Sequence, residues 1–497
     1  MNAQPHHWPL SELLHSYAAT PIAEGIEVTG MTMDSREVSA GDLFLACKGL
    51  TTHGLYYAGR AVNNGAAAIA YEPDSSMTED FPVPAVAVQN LGSKAGGLAD
   101  RFYDSPSRQL AVIGVTGTNG KTSVTDFIAQ ALKKESGQCG VLGTLGYGLA
   151  GNLEAGSHTT PDVIQVHRWL ARFVSADSDY AVMEVSSHAL DQNRVDAVRF
   201  KIAVLTNLSR DHLDYHGDMD SYAAAKQSLF SWPELEYAVI NSDDAVGLKF
   251  LEQLPDTVTP LAYSLQAPVK TVETIYTRQI SYDSAGMWLD IVTPWGDVSL
   301  QTSLLGRFNA ANLLAAMAVL IRLGFPLQRV GQLLGRIKPV SGRMERFGVE
   351  NQPLVVVDYA HTPDALEQAL LALRDHFSGR LVCVFGCGGD RDQGKRPLMA
   401  EVAERLADRI IVTDDNPRSE DPAGITDQIL AGVNNPSAVA VIHDRRQAII
   451  RAISEAAPSD CVLVAGKGHE MLQVTGEQAV SFDDREIVRT SLREYAV

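Results

Sequence analysis

The stretch LAVIGVTGTNGKTSVTDFIAQALKK at residues 110–134 carries the most specific chemical signal in this chain of 497 residues. It predicts a strand, a glycine-containing turn and a helix that begins near Lys121. The backbone N–H groups of such a turn and the positive end of the helix suit phosphate oxygens. Lys121 can reach the terminal phosphates of a triphosphate, and the Thr122 hydroxyl can bind Mg²⁺. Val115 stands where the usual pattern has a glycine, so the glycines of the turn are Gly114, Gly117 and Gly120. A strand-to-helix turn without a ligand is the alternative.

Two polar clusters follow further apolar runs of strand length. Glu184 lies near the end of the run YAVMEV, and the cluster TNLSRDHLD at 206–214, which contains His212, follows IAVL. Because ligands collect beyond the carboxyl ends of parallel strands, both clusters should face the phosphate loop. Glu184 and His212 could ligate a metal ion that bridges a nucleotide and a substrate. A polar surface loop is the alternative, and a zinc site is less suitable because no cysteine accompanies these residues.

Lys226 is a third candidate in the same part of the chain. It lies in SYAAAKQSLF at 221–230, a predicted helix in which Ala223 and Phe230 share its face. A solvated helix lysine is the expectation from this pattern, which gives no reason to assign chemistry to Lys226.

Polar residues also follow three predicted strands nearer the C-terminus, LVCVFG (381–386), RIIVTD (409–414) and CVLVAG (461–466). If the strands are parallel, these residues share one edge of the sheet. They are Arg391, Asp415, Asn416, Pro417, Arg418, Gly466 and Glu470. For the run DDNPRSEDP (414–422), an Asn-Pro turn with a surface arginine is the alternative.

An α/β architecture is required to position these residues, and the length predicts about three domains. Residues 1–88 mix short strands and helices, and residues 89–338 hold the phosphate loop and several apolar strands. Residues 339–497 alternate regularly between strands and helices, which predicts a parallel sheet covered on both faces. Pro339–Gly342 is the predicted hinge. Further predicted elements of this last segment are the strands LVVVD (354–358) and AVAVI (438–442) and the helix PDALEQALLALRDHF (363–377).

Composition restricts the partners and the compartment. The net charge of −19 disfavours nucleic acid or an anionic membrane as a partner. The N-terminal residues have no basic segment followed by an apolar core, and no apolar run reaches membrane length. We therefore expect a cytoplasmic monomer that acts on small molecules. The scattered cysteines are expected to be inert thiols, and they are Cys47, Cys139, Cys383, Cys387 and Cys461.

Seven motifs together resemble the Mur ligases in order and spacing, from about residue 28 to the C-terminus. They are TGTNGKT (116–122), EVSSHALDQNRV (184–195), TNLSRDHLDYH (206–216), YAAAKQSLF (222–230), GRFNAAN (306–312), SGRMERF (341–347) and DYAHTPDAL (358–366). The resemblance implies that ATP phosphorylates a substrate carboxylate and that an amine then attacks the acyl phosphate, which yields an amide, ADP and phosphate. It also implies an N-terminal UDP-binding domain, a central ATP-binding domain and a C-terminal Rossmann-like domain that binds an amino acid.

The resemblance assigns roles to individual residues. Lys226 would be carbamylated by CO₂ and would bind Mg²⁺ with Thr122, Glu184 and His212, beside the catalytic Lys121. The implied ATP contacts are Gly117, Thr118, Asn119, Gly120, Lys121, Thr122, Ser123, Asn309, Arg343 and Asp358. The implied contacts to UDP-muramoyl-dipeptide are Ser35, Thr159, Thr160, Ser186, Gln192 and Arg194.

The run DNPR at 415–418 matches family members that add meso-diaminopimelate, whereas members that add L-lysine lack this arginine. Diaminopimelate differs from lysine by one extra carboxylate, with which a guanidinium pairs bidentately. Arg418 would bind this carboxylate and Glu470 the distal ammonium. The implied reaction adds meso-diaminopimelate to the D-glutamate of UDP-N-acetylmuramoyl-L-alanyl-D-glutamate, a peptidoglycan precursor.

Three other functions remain as alternatives at this point. They are a folylpolyglutamate synthase, a nucleotide-switch protein without amide chemistry, and a small-molecule kinase. DNPR and the N-terminal segment disfavour the first. Lys467 and His361 lie near the predicted sites without an assigned role.

Overall fold

A computed structural model describes residues 7–18, 22, 24–49, 52–74, 81–283 and 285–495. The chain divides into two compact units. The first comprises Met1–Ile240 and Asp244–Leu261, and the second comprises Asn241–Asp243 and Ala262–Val497. The domain boundaries near residues 88 and 338 stay predictions.

The first unit begins with a mixed α/β region. A short antiparallel pair, β1 with β2, precedes a four-stranded parallel sheet in the order β3-β4-β5-β6. The strands are β1 (Trp8–Pro9), β2 (Glu27–Val28), β3 (Gly30–Thr32), β4 (Asp42–Ala46), β5 (Ala68–Tyr71) and β6 (Ala85–Ala87). The helices are α1 (Leu10–Leu13), a 3₁₀ turn (Gly54–Tyr57), α2 (Ala58–Asn63), α3 (Leu91–Phe102) and a second 3₁₀ turn (Pro106–Arg108). Separate apolar clusters cover the two faces of the sheet, as expected for a mixed α/β region.

The second sheet of this unit carries the phosphate loop. Its strands are β7 (Ala111–Thr116), β8 (Gly140–Gly143), β9 (Gly146–Leu149), β10 (Asn152–Glu154), β11 (Tyr180–Glu184), β12 (Ile202–Leu205) and β13 (Tyr237–Asn241). They lie in the order β10-β9-β8-β11-β7-β12-β13; the pairs β8–β9 and β9–β10 are antiparallel, and the other pairs are parallel. The carboxyl ends of β7, β11 and β12 therefore meet at one edge. The accompanying helices are α4 (Lys121–Ser136), α5 (Val163–Ser175), α6 (Ser187–Asp191), α7 (Leu213–His216), α8 (Met219–Gln227), a 3₁₀ turn (Ser228–Ser231) and α9 (Ala245–Glu252).

The second unit starts with a group of four strands, of which the first two are parallel. They are β14 (Thr259–Ser264), which begins before the boundary, β15 (Thr274–Asp283), β16 (Gly286–Thr293) and β17 (Gly296–Thr302). The pairs β15–β16 and β16–β17 are antiparallel. Two helices follow, α10 (Arg307–Arg322) and α11 (Leu327–Leu334).

A six-stranded sheet in the order β18-β19-β23-β20-β21-β22 completes the second unit. Its strands are β18 (Glu345–Phe347), β19 (Leu354–Asp358), β20 (Leu381–Phe385), β21 (Arg409–Val412), β22 (Ala440–Val441) and β23 (Cys461–Ala465). The helices are α12 (Pro363–His376), α13 (Lys395–Leu406), α14 (Pro422–Leu430), a 3₁₀ turn (Pro436–Ala438), α15 (Arg445–Ser454) and α16 (Asp484–Tyr495). A hairpin of β24 (Leu472–Thr475) and β25 (Gln478–Ser481) lies outside this sheet.

The apolar strands of this sheet are covered on both faces, as their composition predicted. Val356, Cys383 and Leu463 pack on one face, whereas Val355 and Val462 pack on the other. The strand prediction AVAVI was wrong at its start, because Pro436–Ala438 forms a 3₁₀ turn and only Ala440–Val441 pairs, at the sheet edge. The cysteines are free thiols, and burial raises the pKa of Cys383 and of Cys387 to about 12, as expected for inert groups.

His376, at the end of α12, joins two backbone segments of the second unit. Its Nε2 accepts a hydrogen bond from Gly306 N at 3.1 Å, and its Nδ1 donates to Asp283 O at 2.7 Å. These partners require the neutral ring with the proton on Nδ1. Burial lowers the pKa of His376 below its usual value, and the hydrogen bond to Asp283 only partly opposes this effect.

The substitution His376→Leu should therefore cost stability in a pH-dependent manner. Above about pH 6.5 it removes both hydrogen bonds and should lower the free energy of unfolding by about 2 kcal/mol. Because the folded-state pKa is depressed, the unfolded chain binds more protons as the pH falls, so the wild-type advantage should shrink below about pH 6.5. Urea unfolding of both proteins between about pH 7.5 and 5 measures this difference. The exposed His15→Leu serves as the control, and a difference that is constant with pH would contradict the prediction.

Candidate active site

The phosphate loop is tied to the segment that follows β12. Asn119 N donates to Asn207 Oδ1 at 2.9 Å, and Thr118 N donates to Asn207 O at 2.9 Å. Gly117 has φ 145°, and a Cβ there would lie 1.8 Å from Thr206 Oγ1, so only glycine fits. Thr118 and Asn119 thus use their N–H groups within the protein, whereas the first turn of a helix such as α4 lacks intrahelical acceptors for its N–H groups and suits phosphate oxygens.

The structure explains why a valine is present at position 115. It lies inside β7, is fully buried, and its carbonyl accepts a hydrogen bond from Val185 N at 2.8 Å. The residue is therefore part of the strand and not of the loop. A valine at this position suits a buried parallel strand.

Glu184 ends β11 and is held by three donors. Its Oε2 accepts hydrogen bonds from Thr122 Oγ1 at 3.0 Å and Thr144 Oγ1 at 3.1 Å, and its Oε1 accepts one from Thr144 N at 2.8 Å. Only 1% of the residue is exposed. The predicted proximity of Glu184 to the phosphate loop is thus present in the structure. Thr144 was not predicted from the sequence, where its position just after β8 is its only distinguishing feature.

Lys226 is buried, so the expectation of a solvated lysine was wrong. Its Nζ donates to Gly117 O at 2.9 Å, and Lys121 Nζ donates to the same carbonyl at 2.9 Å. The ammonium also lies 4.6 Å from the centre of the Tyr222 ring. Burial lowers the pKa of Lys226 well below its usual value, and the charge of Lys121 lowers it further. The side chain therefore loses its proton more readily than the side chain of an exposed lysine.

His212 approaches the loop from the segment after β12, with its ring 4.8 Å from that of His188 and 6.1 Å from that of Tyr222. Partial burial lowers the pKa of His212; Asp211 opposes this effect, and the charges of Lys121 and Lys226 add to it. The neutral imidazole has a lone pair that can bind a metal ion.

The described residues contain no group of three or more His, Cys, Asp or Glu side chains arranged to hold a metal ion. The hydroxyl of Thr122 and the carboxylate of Glu184, 3.0 Å apart, are nevertheless the hard oxygen donors that Mg²⁺ prefers. A carbamate on Lys226 would add a further oxygen donor. The residues present therefore fit Mg²⁺.

A second group of predicted residues lies next to Glu184. Thr160 Oγ1 donates to Glu184 O at 2.8 Å and accepts from Ser186 N at 3.1 Å. Arg194 donates to Thr160 O at 3.1 Å and to Gln192 Oε1 at 2.6 Å. Thr159 belongs to the same group, since its Oγ1 lies 3.1 Å from Thr144 Oγ1.

Ser35 lies in the mixed α/β region of the same unit. It is buried, and its carbonyl accepts a hydrogen bond from Asn64 Nδ2 at 2.9 Å. Its predicted contact with a nucleotide sugar stays a prediction.

Three predicted ATP contacts belong to the second unit. Asn309 is in the first turn of α10, and its Nδ2 donates to Leu305 O at 2.9 Å. The Arg343 guanidinium lies 4.3 Å from the centre of the Tyr359 ring. Asp358 ends β19 and accepts from Met344 N at 2.7 Å; burial raises the pKa of this carboxyl, although Arg343 opposes the effect. Their contact with ATP stays a prediction.

The residues predicted to follow β20, β21 and β23 do come together. Asn416 Nδ2 donates to Glu470 Oε2 at 2.9 Å, and a Cβ on Gly466 would lie 2.7 Å from Asp415 Oδ2. Arg418 and Arg391 both lie beside Gly388, where an added Cβ would be 2.8 Å from the first and 3.9 Å from the second. Pro417 is buried between Asn416 and Arg418. Arg418 has φ 51° and donates to Gly389 O at 2.7 Å.

Lys467 and His361 differ sharply in their surroundings. Lys467 is fully buried and donates to both Asn416 and Glu470, so it belongs to this cluster. His361 is exposed, and its ring contacts the Tyr359 carbonyl and ring. The signal for Lys467 was its place directly after Gly466.

Comparison with known proteins gives consistent matches along the chain. Residues 27–103 match the model described as "Mur ligase family, catalytic domain", residues 115–320 "Mur ligase middle domain", and residues 342–468 "Mur ligase, glutamate ligase domain". A UDP-N-acetylmuramoyl-L-alanyl-D-glutamate–2,6-diaminopimelate ligase from Ectopseudomonas mendocina (strain ymp) is 50% identical over 472 residues, which cover 94% of this chain and 95% of that protein. The enzyme of the same name from Coxiella burnetii (strain RSA 493 / Nine Mile phase I) is 46% identical over 97% of this chain and 99% of its own.

Solved structures show the same architecture. A 2,6-diaminopimelate ligase structure of the same name superposes with a TM-score of 0.71 at 35% identity and covers 99% of each chain. MurF from Acinetobacter baumannii superposes with a TM-score of 0.68 at 18% identity, covering 93% of this chain and 96% of its own, which shows a shared fold. No helix in the described ranges has both the length and the apolar character needed to cross a membrane.

The hydrogen bonds of Glu184 predict that this carboxylate also stabilises the fold. Glu184→Ala leaves Thr122 and Thr144 without their buried acceptor and should lower the free energy of unfolding by about 2–3 kcal/mol. Glu184→Gln should cost only about 1 kcal/mol, because the two threonine hydroxyls can rotate to accept from the new amide. Urea unfolding measures both values, with the exposed Glu252→Ala as the control. An alanine variant as stable as the wild type would refute this role.

Proposed function

This chain belongs to the Mur ligase family, and from that premise we propose that it is the ATP-dependent ligase that adds meso-diaminopimelate to UDP-N-acetylmuramoyl-L-alanyl-D-glutamate. The relatives with this name match almost the whole chain at close to half identity. The reaction belongs to peptidoglycan precursor synthesis. The names of these relatives support small-molecule substrates, whereas a cytoplasmic monomer without nucleic acid or membrane partners stays a prediction.

The observation that best supports the mechanism is a series of hydrogen bonds that joins the two proposed substrate regions. Thr122 Oγ1 is 3.0 Å from Glu184 Oε2, which is 3.1 Å from Thr144 Oγ1, which in turn is 3.1 Å from Thr159 Oγ1. Thr122 belongs to the proposed nucleotide site and Thr159 to the proposed dipeptide site. This series of hydrogen bonds therefore supports neighbouring positions for a triphosphate and an acceptor carboxylate, which in-line phosphoryl transfer requires.

The chemistry follows in two steps. An oxygen of the D-glutamyl carboxylate attacks the γ-phosphorus of ATP, the bond to the bridging oxygen breaks, and an acyl phosphate and ADP form. The uncharged amine of diaminopimelate then attacks the acyl carbon, and inorganic phosphate leaves as the amine loses a proton. Lys121 offsets the charge of the transferring phosphoryl group, and Arg194 holds an anionic part of the dipeptide substrate.

Mg²⁺ and a carbamate complete the proposed ATP site. Thr122, Glu184, His212 and carbamylated Lys226 would hold Mg²⁺, which supplies charge neutralisation at the phosphates. Carbamylation joins the neutral Lys226 amine to the carbon of CO₂ and releases one proton. It places an anion beside Lys121, which offsets the positive charge of the Lys121 ammonium near Gly117 O.

The choice of amine rests on the cluster after β20, β21 and β23. Arg418 and Arg391 supply guanidinium groups for the distal carboxylate, and Glu470 supplies a carboxylate for the distal ammonium. L-Lysine would leave a guanidinium without its anion and should bind poorly.

A phosphate-release assay tests the proposal directly. With ATP, Mg²⁺ and UDP-N-acetylmuramoyl-L-alanyl-D-glutamate, release should depend on meso-diaminopimelate and remain near background with L-lysine or L-glutamate. Arg418→Lys keeps the charge but loses the bidentate fork, so the KM for meso-diaminopimelate should rise about tenfold or more. The exposed Arg451→Lys should leave that KM unchanged. Amine-independent hydrolysis, phosphorylated product or equal turnover of L-lysine would each reject the proposal.

The carbamate on Lys226 has its own spectroscopic test. Protein equilibrated with ¹³C-bicarbonate should show one carbamate carbon signal by NMR, and this signal should be absent from Lys226→Ala. The variant should lose activity by on the order of a thousandfold, because charge stabilisation at the phosphates is impaired. Lys249→Ala, an exposed lysine, serves as the control. A Lys226→Ala enzyme with full activity would exclude the role.

A further inference from the structure

Lys467 is a buried cation for which the proposed reaction has no step. It directly follows Gly466 at the end of β23, and its side chain has 0% exposure. Its Nζ donates to Asn416 Oδ1 at 2.9 Å and to Glu470 Oε2 at 3.0 Å. A buried ammonium is costly without such partners, so its retention at this place calls for a specific role.

The ammonium sets the orientation of the Asn416 amide. Asn416 Oδ1 accepts from both Lys467 Nζ and Val474 N, the latter at 3.0 Å. If the amide were reversed, its NH₂ group would face two donors and lose both hydrogen bonds. The present orientation is therefore fixed, and it directs Asn416 Nδ2 to Glu470 Oε2 at 2.9 Å.

Both donors bind the same oxygen of Glu470. Lys467 Nζ and Asn416 Nδ2 occupy Oε2, while no residue in the described part of the chain donates a hydrogen bond to Oε1. The side chain of Glu470 is 32% exposed, so this second oxygen is accessible to a ligand. Lys467 thus holds one carboxylate oxygen and leaves the other to a positively charged group.

We infer that Lys467 is a specificity-determining positioning residue, which fixes Glu470 and Asn416 so that Glu470 Oε1 accepts the distal ammonium of the incoming diamino acid. This inference rests on the proposed function. It adds Lys467 to Glu470 and Asn416 in the part of the site that recognises the ammonium, although Lys467 itself does not touch the substrate.

A substrate analogue isolates this role from general structural effects. 2-Aminopimelate keeps both carboxylates of diaminopimelate but lacks the distal amino group. The wild type should prefer meso-diaminopimelate by at least about a hundredfold in kcat/KM, because the analogue leaves Glu470 unpaired. Lys467→Met should reduce this preference about tenfold or more, mainly by raising the KM for meso-diaminopimelate. Its KM for ATP should stay within about twofold, and Lys467→Arg should restore part of the preference.

The exposed Lys249→Met is the matched control and should keep the full preference. If Lys467→Met does not fold, the double variant Lys467→Met/Glu470→Gln removes both charges together and should show the same preference as Glu470→Gln alone. A folded Lys467→Met with an unchanged or increased preference would overturn the inference, as would a double variant that differs from Glu470→Gln. A wild type without diaminopimelate-dependent phosphate release would instead reject the proposed function, and the inference with it.

Discussion

The Nζ atoms of two lysines, Lys121 and Lys226, donate to one carbonyl oxygen, that of Gly117, at the centre of the phosphate-loop region. Like charges this close in a buried place repel each other unless one loses its charge or an anion enters. The depressed pKa of Lys226 is one response to this constraint, and a bound polyanion would be another. The strands β7, β11 and β12 bring the phosphate loop, Glu184 and the segment 206–212 to one sheet edge, where this concentration of charge can be used.

The second unit also groups charged side chains, with a different balance of positive and negative charges. Arg391 and Arg418 lie beside Gly388, while Asn416 after β21 and Lys467 and Glu470 after β23 form a compact group. The two guanidinium groups and the Glu470 carboxylate thus belong to separate groups at one sheet edge. This separation suits the proposed diamino acid, which has charges at both ends, whereas Lys121 and Lys226 in the first unit suit the proposed phosphates. The distribution explains how a chain with net charge −19 can bind anionic substrates.

The regular parts of the fold could be predicted because buried parallel strands have a distinctive composition. LVVVD coincides with β19, and the predicted helix at 363–377 ends one residue from α12. The strand prediction for AVAVI was too long. Only two of its residues pair at the sheet edge, and the apolar pattern does not show how many residues of an edge strand will pair. Lys226 could not be placed from its helix, because its burial depends on Gly117, which is 109 residues away. Thr144 could not be predicted for the same reason, and Lys467 could be named but not given a role, because its partner Asn416 is 51 residues away.

The hydrogen bonds between the phosphate loop and the Thr206–Asn207 segment have a thermodynamic consequence. Thr118, Asn119 and Gly117 are held by the protein itself, so the conformational entropy of the loop is lost during folding and not when a nucleotide arrives. Because the loop is already ordered, ligand binding loses little conformational entropy there. The favourable contacts with the ligand therefore contribute almost fully to the binding free energy. A loop of only a few residues can therefore serve as a rigid template for a highly charged and flexible ligand.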